Sequence, residues 1–517
     1  MKRRSFLQST SAISLPFLLN GMPLSAFSKN ALFNSINGDN DNVLVLIQLN
    51  GGNDGLNTII PLDKYDILGN VRSNILIPEN QLLNIDQSTA FHPNMEGIKS
   101  LYDNARMAIV QDVAYPNQNR SHFRSTDIWN TGSPADEFWT TGWVGRYFEN
   151  RHPSYPDGYP NEDCPDPFAI SIGSAVHENC QSSNVNFSIA LRDPFSLAPL
   201  ADGGSDIAPD TPYGKELDFL REIISQSNAY GDNVSDAAER GGNLSAMYED
   251  DNALAQQLKI IALLMSGGLR TKIYIANIGG FDTHANQVLD GNPTTGEHAE
   301  LISSLSNAVE AFQDDLALLG LEERVITMTF SEFGRRIRSN DSLGTDHGTA
   351  APVMVFGTCL NPGIIGTSPE LPDNPDIQTG VPMQFDFRNV FGSVMMDWFD
   401  VSESEIKQIF LDDFDYIPII NSCQSTSTIE NQLEIFESKC FPNPCTNWLT
   451  IQFDTPGENI RINLFDAMGQ KIRVITNRKF TEGKHEIRID TSQLIASNYF
   501  YQIIGENRMR TKTFTKV

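Results

Sequence analysis

Two apolar runs of the sequence end in acidic and histidine residues whose types could bind a metal ion or perform catalysis. The runs, KIYIANIGG at 272–280 and VITMTF at 325–330, are typical of strands. The residues that follow them are Asp282, His284, Glu332, Asp346 and His347. Carboxylate oxygens together with imidazole nitrogens suit Zn²⁺, Mn²⁺ or Fe, whereas carboxylates alone favour Mg²⁺ or Ca²⁺. The mixed set therefore predicts a transition-metal site.

The segment between the two runs predicts how these residues meet. Its apolar side chains recur every three or four residues from Leu301 to Leu319, which indicates a helix with one buried stripe. A strand, a crossover helix and a second strand favour parallel pairing, and sites in such sheets form beyond the carboxyl ends of the strands. The polar residues would then share one edge. The alternative is that Asp282 and Asp346 cap turns or helices and the histidines form ordinary hydrogen bonds.

Two other predicted strands lead to further candidate residues. The run VLVLIQL is followed by a glycine-rich turn that contains Asp54, and the glycines permit close approach of the backbone. The run ARMAIVQDVAY is followed by Arg120, Ser121 and Arg124. A serine at a helix start lies beside free backbone N–H groups that favour an anion, and two arginines can bind a phosphate or sulfate. The alternative is a capping serine with solvent-facing arginines.

The amino-terminal residues predict export. The pair Arg3-Arg4 is followed by a short apolar run and small residues, which is typical of a twin-arginine signal peptide over residues 1–28. No stretch reaches the roughly 20 apolar residues that a membrane-spanning helix needs. We therefore predict a protein exported to the periplasm, with no membrane span after processing.

Length, charge and cysteine content limit the class of protein. A chain of 517 residues exceeds one typical core, so at least two domains are expected. The net charge of -28 argues against nucleic acid or an anionic membrane surface as the main partner. The six cysteines could form disulfides outside the cytoplasm, and the nearest candidate pairs are Cys164 with Cys180 and Cys440 with Cys445.

Composition divides the chain into an α/β domain at 40–417, a linker at 418–437 and a β domain at 438–517. Within the first domain, residues 152–250 are rich in Pro, Gly, Asn, Asp and Ser and show little periodicity, which predicts an irregular surface region. The linker is rich in Ser and Thr. The short alternating runs that follow it predict a small antiparallel β-sandwich.

Five blocks of the sequence resemble, in the same order, the DUF1501 family of exported bacterial proteins, which belongs to the alkaline phosphatase and sulfatase-like superfamily. The blocks are VLVLIQLNGGNDGLN, YPNQNRSHFRSTDIW, GGFDTHANQ, TMTFSEFGRR and TDHGTAAPV. Residues 441–444 and the closing β-runs resemble a type IX secretion sorting domain of Bacteroidota. The two resemblances imply an alkaline-phosphatase-like sheet flanked by helices plus the small C-terminal sandwich. They also imply passage through the type IX machinery to the cell surface or the medium.

The superfamily resemblance implies roles for single residues. Enzymes of that fold hold two divalent metals with Asp and His and attack phosphate or sulfate esters from a helix start. For this chain the resemblance implies Zn, Mn or Mg, as one or two ions. By position, Asp54 is similar to the first-strand ligand and Ser121 to the nucleophile, and Arg120 or Arg124 would hold ester oxygens. The other ligands implied are Asp282, His284, Glu332 and His347.

One motif departs from the family pattern. Glu332-Phe333-Gly334 stands where related enzymes often have Asp-His-Gly, so a nitrogen ligand is missing. The departure leaves two alternatives: a site with a single ion, or a site that has lost catalysis. We predict an exported metal-dependent hydrolase of phosphate, sulfate or related esters, acting on an anionic small molecule or a glycan. The alternative is a cell-surface protein that binds glycan or another envelope component without turnover. A third possibility is a purely structural surface protein that binds no metal.

Overall fold

The structure, a computed structural model, describes residues 18–19, 22–23, 40–195, 208–410, 413–421, 438–465, 471–492, 494–504 and 509–517. Most of the predicted signal peptide, including its arginine pair, and most of the predicted linker lie outside these residues. Two compact units make up the chain: Asn40–Cys423 is one, and Gln424–Val517 belongs to the other.

The first unit is built on a nine-stranded mixed sheet with helices around it. The described strands that precede Cys423 are β1 (Leu18–Leu19), β2 (Met22–Pro23), β3 (Val43–Asn50), β4 (Ile59–Pro61), β5 (Leu83–Asn84), β6 (Thr89–Phe91), β7 (Met107–Ala114), β8 (Ala169–Ile172), β9 (Ser188–Leu191), β10 (Ile273–Gly279), β11 (Val325–Phe330), β12 (Arg335–Ser339), β13 (Thr345–His347), β14 (Ala351–Phe356), β15 (Gly363–Ile365) and β16 (Phe385–Asp386). Strands β1 and β2 lie ahead of the first unit, which begins at Asn40. The α-helices are α1 (Gly55–Thr58), α2 (Tyr65–Val71), α3 (Glu96–Asp103), α4 (His122–Thr131), α5 (Trp143–Arg151), α6 (Pro212–Arg240), α7 (Ala253–Ser266), α8 (Glu297–Leu319), α9 (Phe387–Phe399) and α10 (Glu403–Ile409). Short 3-10 helices cover Leu62–Lys64, Glu79–Gln81, Glu178–Cys180 and Glu322–Arg324.

Strand β3 lies near the middle of the sheet, whose order is β15-β7-β14-β11-β3-β10-β8-β9, with β16 also paired to β7. It pairs in parallel with β10 on one side and with β11 on the other. Its continuous apolar run is buried, as expected for a strand covered on both faces. Strand β14 runs antiparallel to β11 and β7, so the sheet is mixed.

The two predicted strands that precede the candidate residues are β10 and β11. They run in the same direction, as the sequence predicts, but they are not neighbours because β3 lies between them. The register pairs Gly279 with Asn50 and Phe330 with Gln48, so the three strands end almost level. The loops after β3, β10 and β11 therefore leave the sheet at the same edge.

Helix α8 confirms the helix predicted from apolar periodicity, and it packs against α7. The prediction of an irregular region at 152–250 is wrong. This region contributes β8 and β9 to the central sheet and also contains the 29-residue helix α6. The two strands have only four residues each, too few to show a clear alternation in the sequence.

The carboxyl-terminal unit is the predicted β-sandwich. Its strands are β17 (Ser438–Phe441), β18 (Trp448–Thr455), β19 (Asn459–Phe465), β20 (Lys471–Lys479), β21 (Gly483–Asp490), β22 (Ser497–Ile504) and β23 (Met509–Lys516). They form two antiparallel sheets, β17-β18-β21 and β20-β19-β22-β23, around one apolar core. Alternate residues of β18 are buried, which explains the alternating pattern of its sequence.

The cysteine pairing differs from the sequence prediction. Cys164, Cys180, Cys440 and Cys445 keep their thiols, so neither nearest-neighbour pair is joined. Cys359 is disulfide-bonded instead. Proximity in the sequence does not bring the sulfurs together, because strand and turn geometry fixes where each cysteine lies. In the part of the chain that the structure describes, no helix has the length and apolar character needed to cross a bilayer.

Candidate metal centre

Four potential ligand atoms converge beyond the carboxyl edge of the central sheet. Nε2 of His347 lies 2.8 Å from Nε2 of His284 and 3.0 Å from Nε2 of His122. Oδ1 of Asp282 lies 3.1 Å from His347 Nε2, 3.2 Å from His284 Nε2 and 3.4 Å from His122 Nε2. Asp282 and His284 follow β10, His347 ends β13, and His122 begins α4. Residues far apart in the chain thus form one compact cluster.

The outer ring nitrogen of each histidine, Nδ1, faces an oxygen that cannot donate a hydrogen bond: a backbone carbonyl or an ionised carboxylate. The partners of Nδ1 are the backbone oxygen of Arg120 at 2.8 Å from His347, Oδ1 of Asp346 at 3.0 Å from His284, and Oε1 of Glu332 at 2.8 Å from His122. The Nδ1 atoms must therefore carry the hydrogens in the neutral rings. The Nε2 lone pairs then all face the cluster.

Three lone pairs and a carboxylate oxygen this close together repel one another unless a positive charge lies between them. With ligand bonds of about 2.0–2.1 Å, neighbouring ligand atoms of a tetrahedral zinc site lie about 3.3 Å apart. The five separations given above, 2.8 to 3.4 Å, are close to that value, and the ligand atoms of His122, Asp282 and His347 all lie within 4.8 Å of one another. Histidines that donate their other N–H to a carboxylate or a carbonyl are the usual form of metal-bound imidazole. The residues present therefore fit a divalent transition ion.

Arg335 fixes the position of Asp282 from behind. Its guanidinium is buried and donates to Asp282 Oδ1 at 2.8 Å and to the backbone oxygens of Phe281 at 2.8 Å, Gly52 at 2.7 Å and Thr345 at 2.9 Å. One side chain thereby joins the loops after β3 and β10 to β13. Burial acts to raise the pKa of Asp282, but the hydrogen bond and charge of Arg335 bring it down to about 2. Asp282 is therefore ionised at neutral pH.

Two glycines make the close approach of these loops possible. Gly51 has a φ of +119°, and a Cβ at this position would lie 2.3 Å from the backbone nitrogen of Asp282. A Cβ at Gly344 would lie 2.4 Å from the backbone oxygen of His284. Any side chain at either position would push a ligand-bearing loop away from the cluster. The glycines around the sequence motifs are thus explained by backbone contact.

His122 is the cluster residue that the sequence interpretation missed. It is the first residue of α4, directly after the predicted nucleophile Ser121. Its hydrogen bond to Glu332 raises its pKa. The sequence did hold one signal, because Phe333 stands where the family pattern has a histidine. The Phe333 ring packs on His122 and His347, with centroid distances of 4.9 and 4.7 Å, so a nitrogen missing from one loop is replaced by one from another segment.

Glu332 and Asp346 support the cluster and are not part of its inner set of atoms, which corrects their expected role as direct ligands. Glu332 accepts from His122 and from the backbone nitrogen of Gly51 at 2.8 Å. Asp346 accepts from His284 and from Arg336 at 3.1 Å. Burial acts to raise the pKa of Asp346, but the hydrogen bond from His284 lowers it below its usual value. Both carboxylates orient a histidine.

Asp54 does not join the cluster either, which corrects a second expectation. Both of its oxygens accept from Arg72 Nη1, at 3.1 and 3.0 Å, and Oδ2 also accepts from Gln287 at 2.7 Å. The pair is fully buried. Burial alone would raise the pKa of Asp54, but the charge of Arg72 holds it below its usual value. Asp54 therefore serves a buried ion pair beneath the site.

We expect Asp54→Asn to leave the bound metal unchanged and to lower the free energy of unfolding by about 3–5 kcal/mol, because Arg72 would remain buried without a counter-charge. Elemental analysis and urea unfolding would measure the two effects. Asp103→Asn is the matched control, since Asp103 forms an exposed pair with Lys99 worth about 1 kcal/mol or less. Loss of the metal from Asp54→Asn would return Asp54 to the ligand set.

Arg124 makes its contacts within its own helix and with the loop after it. Its guanidinium is bound to Asp127 and to the backbone oxygens of Pro134, Ala135 and Glu137. It also lies over the ring of Phe138, with 4.0 Å between Cζ and the ring centroid. These contacts engage both terminal nitrogens of Arg124 in holding the loop after α4. A substrate oxygen would have to displace them.

Arg120 and Ser121 remain at the cluster. Ser121 is exposed, occupies the N-cap of α4 and forms no side-chain capping hydrogen bond. Arg120 donates from Nη1 to the backbone oxygen of Gln378 at 2.8 Å. Burial and the nearby charge of Arg336 lower the pKa of Arg120, as expected for two guanidinium groups close together. Arg336 in turn donates to Ile377 at 2.9 Å. This pair of cations beside the cluster is a second feature that the sequence motifs did not single out.

Residues 211–409 match the family described as "Protein of unknown function (DUF1501)". The chain contains a DUF1501 domain. Residues 439–516 match the secretion system C-terminal sorting domain, which agrees with the resemblance of the closing β-runs. The matched part of the DUF1501 domain includes Asp282, His284 and His347, whereas His122 lies ahead of it. The matched part alone therefore lacks one of the four cluster residues.

Solved structures similar to this chain share little sequence with it. One is a protein of the alkaline phosphatase superfamily from Vibrio parahaemolyticus, with 9% identity, 87% of this chain and 83% of that chain covered, and a TM-score of 0.33. Another is the PsFucS1 sulfatase from Pseudoalteromonas sp., with 8% identity, coverage of 90% and 87%, and a TM-score of 0.32. No curated protein matches the sequence. Similarity at this level does not assign an activity to the chain.

Proposed function

We propose that this chain is an exported, metal-dependent hydrolase of phosphate, sulfate or related esters. The observation that carries the proposal is the convergence of three imidazole nitrogens and one carboxylate oxygen on a common point, each backed by an acceptor or a buried arginine. The cluster is open to solvent, since the Asp282 side chain is 48% exposed. A substrate can therefore reach it.

The proposed roles follow from what each side chain contacts. His122, Asp282, His284 and His347 hold the ion. A divalent transition ion bound there supplies positive charge that polarises an ester oxygen and acidifies a nearby hydroxyl. Ser121 directly precedes His122 in the chain, at the N-cap of α4, and is proposed as the nucleophile. Arg120, together with Arg336, orients the ester oxygens that do not react.

Local charge supports an anionic substrate. Around the cluster, the carboxylates of Asp282, Glu332, Asp346 and Asp376 outnumber by one the guanidinium groups of Arg120, Arg335 and Arg336. A divalent ion bound there would leave one positive charge without compensation, although the whole chain carries a net charge of -28. A phosphate or sulfate group would supply the missing negative charge.

The number of cluster residues favours a second candidate function. Four protein side chains are available to one ion, the number found in structural metal sites, whereas catalytic sites keep a position open. The alternative proposal is therefore a surface protein that binds a glycan or another envelope component without turnover. The two proposals make the same prediction for metal content but differ in hydrolysis.

The sorting domain at 439–516 indicates export to the cell surface or secretion. A twin-arginine signal at residues 1–28 remains a proposal, and its Arg3-Arg4 pair lies outside the described residues. Export of folded protein through that route would allow the ion to be bound before the membrane is crossed. Passage through both sets of machinery is part of the proposal.

The proposed function is tested by elemental analysis together with an ester panel. We expect the purified chain to contain a transition metal and to hydrolyse an aryl phosphate or an aryl sulfate. Asp282→Asn should lose metal and reduce hydrolysis by about 10²-fold or more, because one ligand charge is removed. Asp341→Asn, at an exposed loop residue, is the matched control.

The outcomes separate the candidates. Metal without hydrolysis of any ester in the panel would contradict the hydrolase proposal and support the binding protein. Absence of metal from the wild type would contradict both. If Ser121→Ala keeps full activity, the nucleophile assignment is wrong but the metal-dependent hydrolase stands.

A further inference from the structure

Two exposed apolar residues belong to segments that border the candidate metal centre. Phe123, the residue after the cluster histidine His122, is 91% exposed. Ile377 is 68% exposed, and its backbone oxygen accepts from Arg336 at 2.9 Å. Isolated exposed apolar residues are common on protein surfaces. Here, however, two of them are attached to residues that hold or border the same site.

The orientation of Phe123 follows from helix α4. The buried residues of this helix include Ser125, Ile128 and Trp129, so Phe123 lies on the opposite side, away from the core. Among the described residues, no ring or cation stacks on Phe123. Phe138, a nearby exposed phenylalanine, is covered by the guanidinium of Arg124. The face of Phe123 is therefore available to a ligand.

The candidate centre lies on an open surface. The side chains of Asp282 and His284 are 48% and 44% exposed, and those of Asp346 and His122 are 38% and 32% exposed. Small ligands are usually held in pockets that bury most of their surface. An open site bordered by a bare aromatic face fits a ligand large enough to lie across it.

We propose that the ester is carried on a sugar ring of a glycan chain, and that this ring or its neighbour stacks on Phe123 while Arg120 and Arg336 bind the ester group. This inference rests on the proposed function and narrows its substrate class. Sugar rings present flat C–H faces that pack on aromatic side chains, and a glycan chain extends beyond the site on both sides. A nucleic acid could also stack on Phe123, and the oligothymidylate gel below tests that outcome.

Affinity electrophoresis of the full-length chain tests this inference without requiring turnover. The gels contain dextran sulfate, chondroitin sulfate, carrageenan, fucoidan or phosphomannan, and a separate gel contains an oligothymidylate. We expect at least one glycan to retard the wild type. Phe123→Ala should weaken that association about tenfold, and Phe123→Tyr should restore it, because the aromatic face is what binds.

Leu318→Ala is the matched control. Leu318 is also exposed and apolar but lies at the carboxyl-terminal end of α8. That helix begins next to Asn286, at the loop after β10, and its 23 residues span roughly 34 Å. We expect retardation of Leu318→Ala to equal that of the wild type.

The ratio of kcat/KM for the retained glycan to kcat/KM for a methyl ester of phosphate or sulfate provides a second readout. It should fall about tenfold in Phe123→Ala, since the methyl ester has no ring that could stack. Three results would overturn the inference. None of the five glycans retards the wild type, or Phe123→Ala is retarded as strongly as the wild type. The third is that retardation depends on Phe123 only in the oligothymidylate gel. Hydrolysis of the aryl ester without glycan binding would overturn this inference alone, and glycan binding without hydrolysis would overturn the proposed function alone.

Discussion

Replacing His122 by alanine should strip the ion from the protein, with a fall in metal affinity of more than about 100-fold. Changes in residues that merely orient a ligand already cost about 10 to 100-fold, and removal of a ligand nitrogen should cost more. The loss follows from geometry, because His122 Nε2 lies 3.0 Å from His347 Nε2 and 3.4 Å from Asp282 Oδ1. Competition with a fluorescent zinc chelator would measure the affinity.

His485→Ala provides the control for this variant. His485 lies in the carboxyl-terminal unit and bonds to the backbone oxygen of Thr481. We expect its removal to leave metal affinity unchanged. A wild-type metal affinity in His122→Ala would show that Asp282, His284 and His347 are sufficient to bind the ion. His122 would then not be a ligand.

Replacing Arg335 by methionine should lower the free energy of unfolding of the first unit by about 3–5 kcal/mol. Methionine fills much of the same volume but donates no hydrogen bonds, so the backbone oxygens of Gly52, Phe281 and Thr345 lose their partner. Asp282 also loses the charge that holds its pKa down. Urea unfolding of metal-stripped protein, followed by tryptophan fluorescence, would report on this unit because four of the five tryptophans lie within Asn40–Cys423.

Arg338→Met is the matched control on the same strand. Arg338 donates to Asn374 and to the backbone of Pro375, both on a surface loop. We expect a change of about 1 kcal/mol or less, as for other exposed charge contacts. Equal losses in the two variants would mean that Arg335 has no special role in joining the loops of the site.

Much of the fold could be predicted because it depends on patterns that are local in the chain. The continuous apolar run of β3, the helical periodicity of α8 and the alternation in β18 each identify their element directly. The strands β8 and β9 could not be recognised, because four-residue strands carry too little periodicity and their place in the sheet depends on distant partners. The prediction of the cysteine pairs was wrong because disulfide pairing also depends on partners that are distant in the chain.

The candidate site divides along similar lines. Asp282 and His284 could be anticipated because they follow a parallel strand of the central sheet, and His347 because it comes after the next predicted strand in the chain. Glu332 and Asp346 are at that edge too, but which carboxylate reaches an ion and which supports a histidine depends on side-chain directions that differ by a few ångströms. Sequence carries no record of such distances.

What the sequence by itself determined is the α/β class of the first unit, the carboxyl-terminal β-sandwich, and the chemistry of imidazole and carboxylate groups beyond the ends of strands. These follow from local periodicity and residue type. Only the tertiary structure decided that His122 completes the set, that Asp54 is committed to Arg72, and that Arg124 faces its own loop. The reason is that a side chain's role depends on which neighbours satisfy its charge and hydrogen bonds, and those neighbours come from segments far away in the chain.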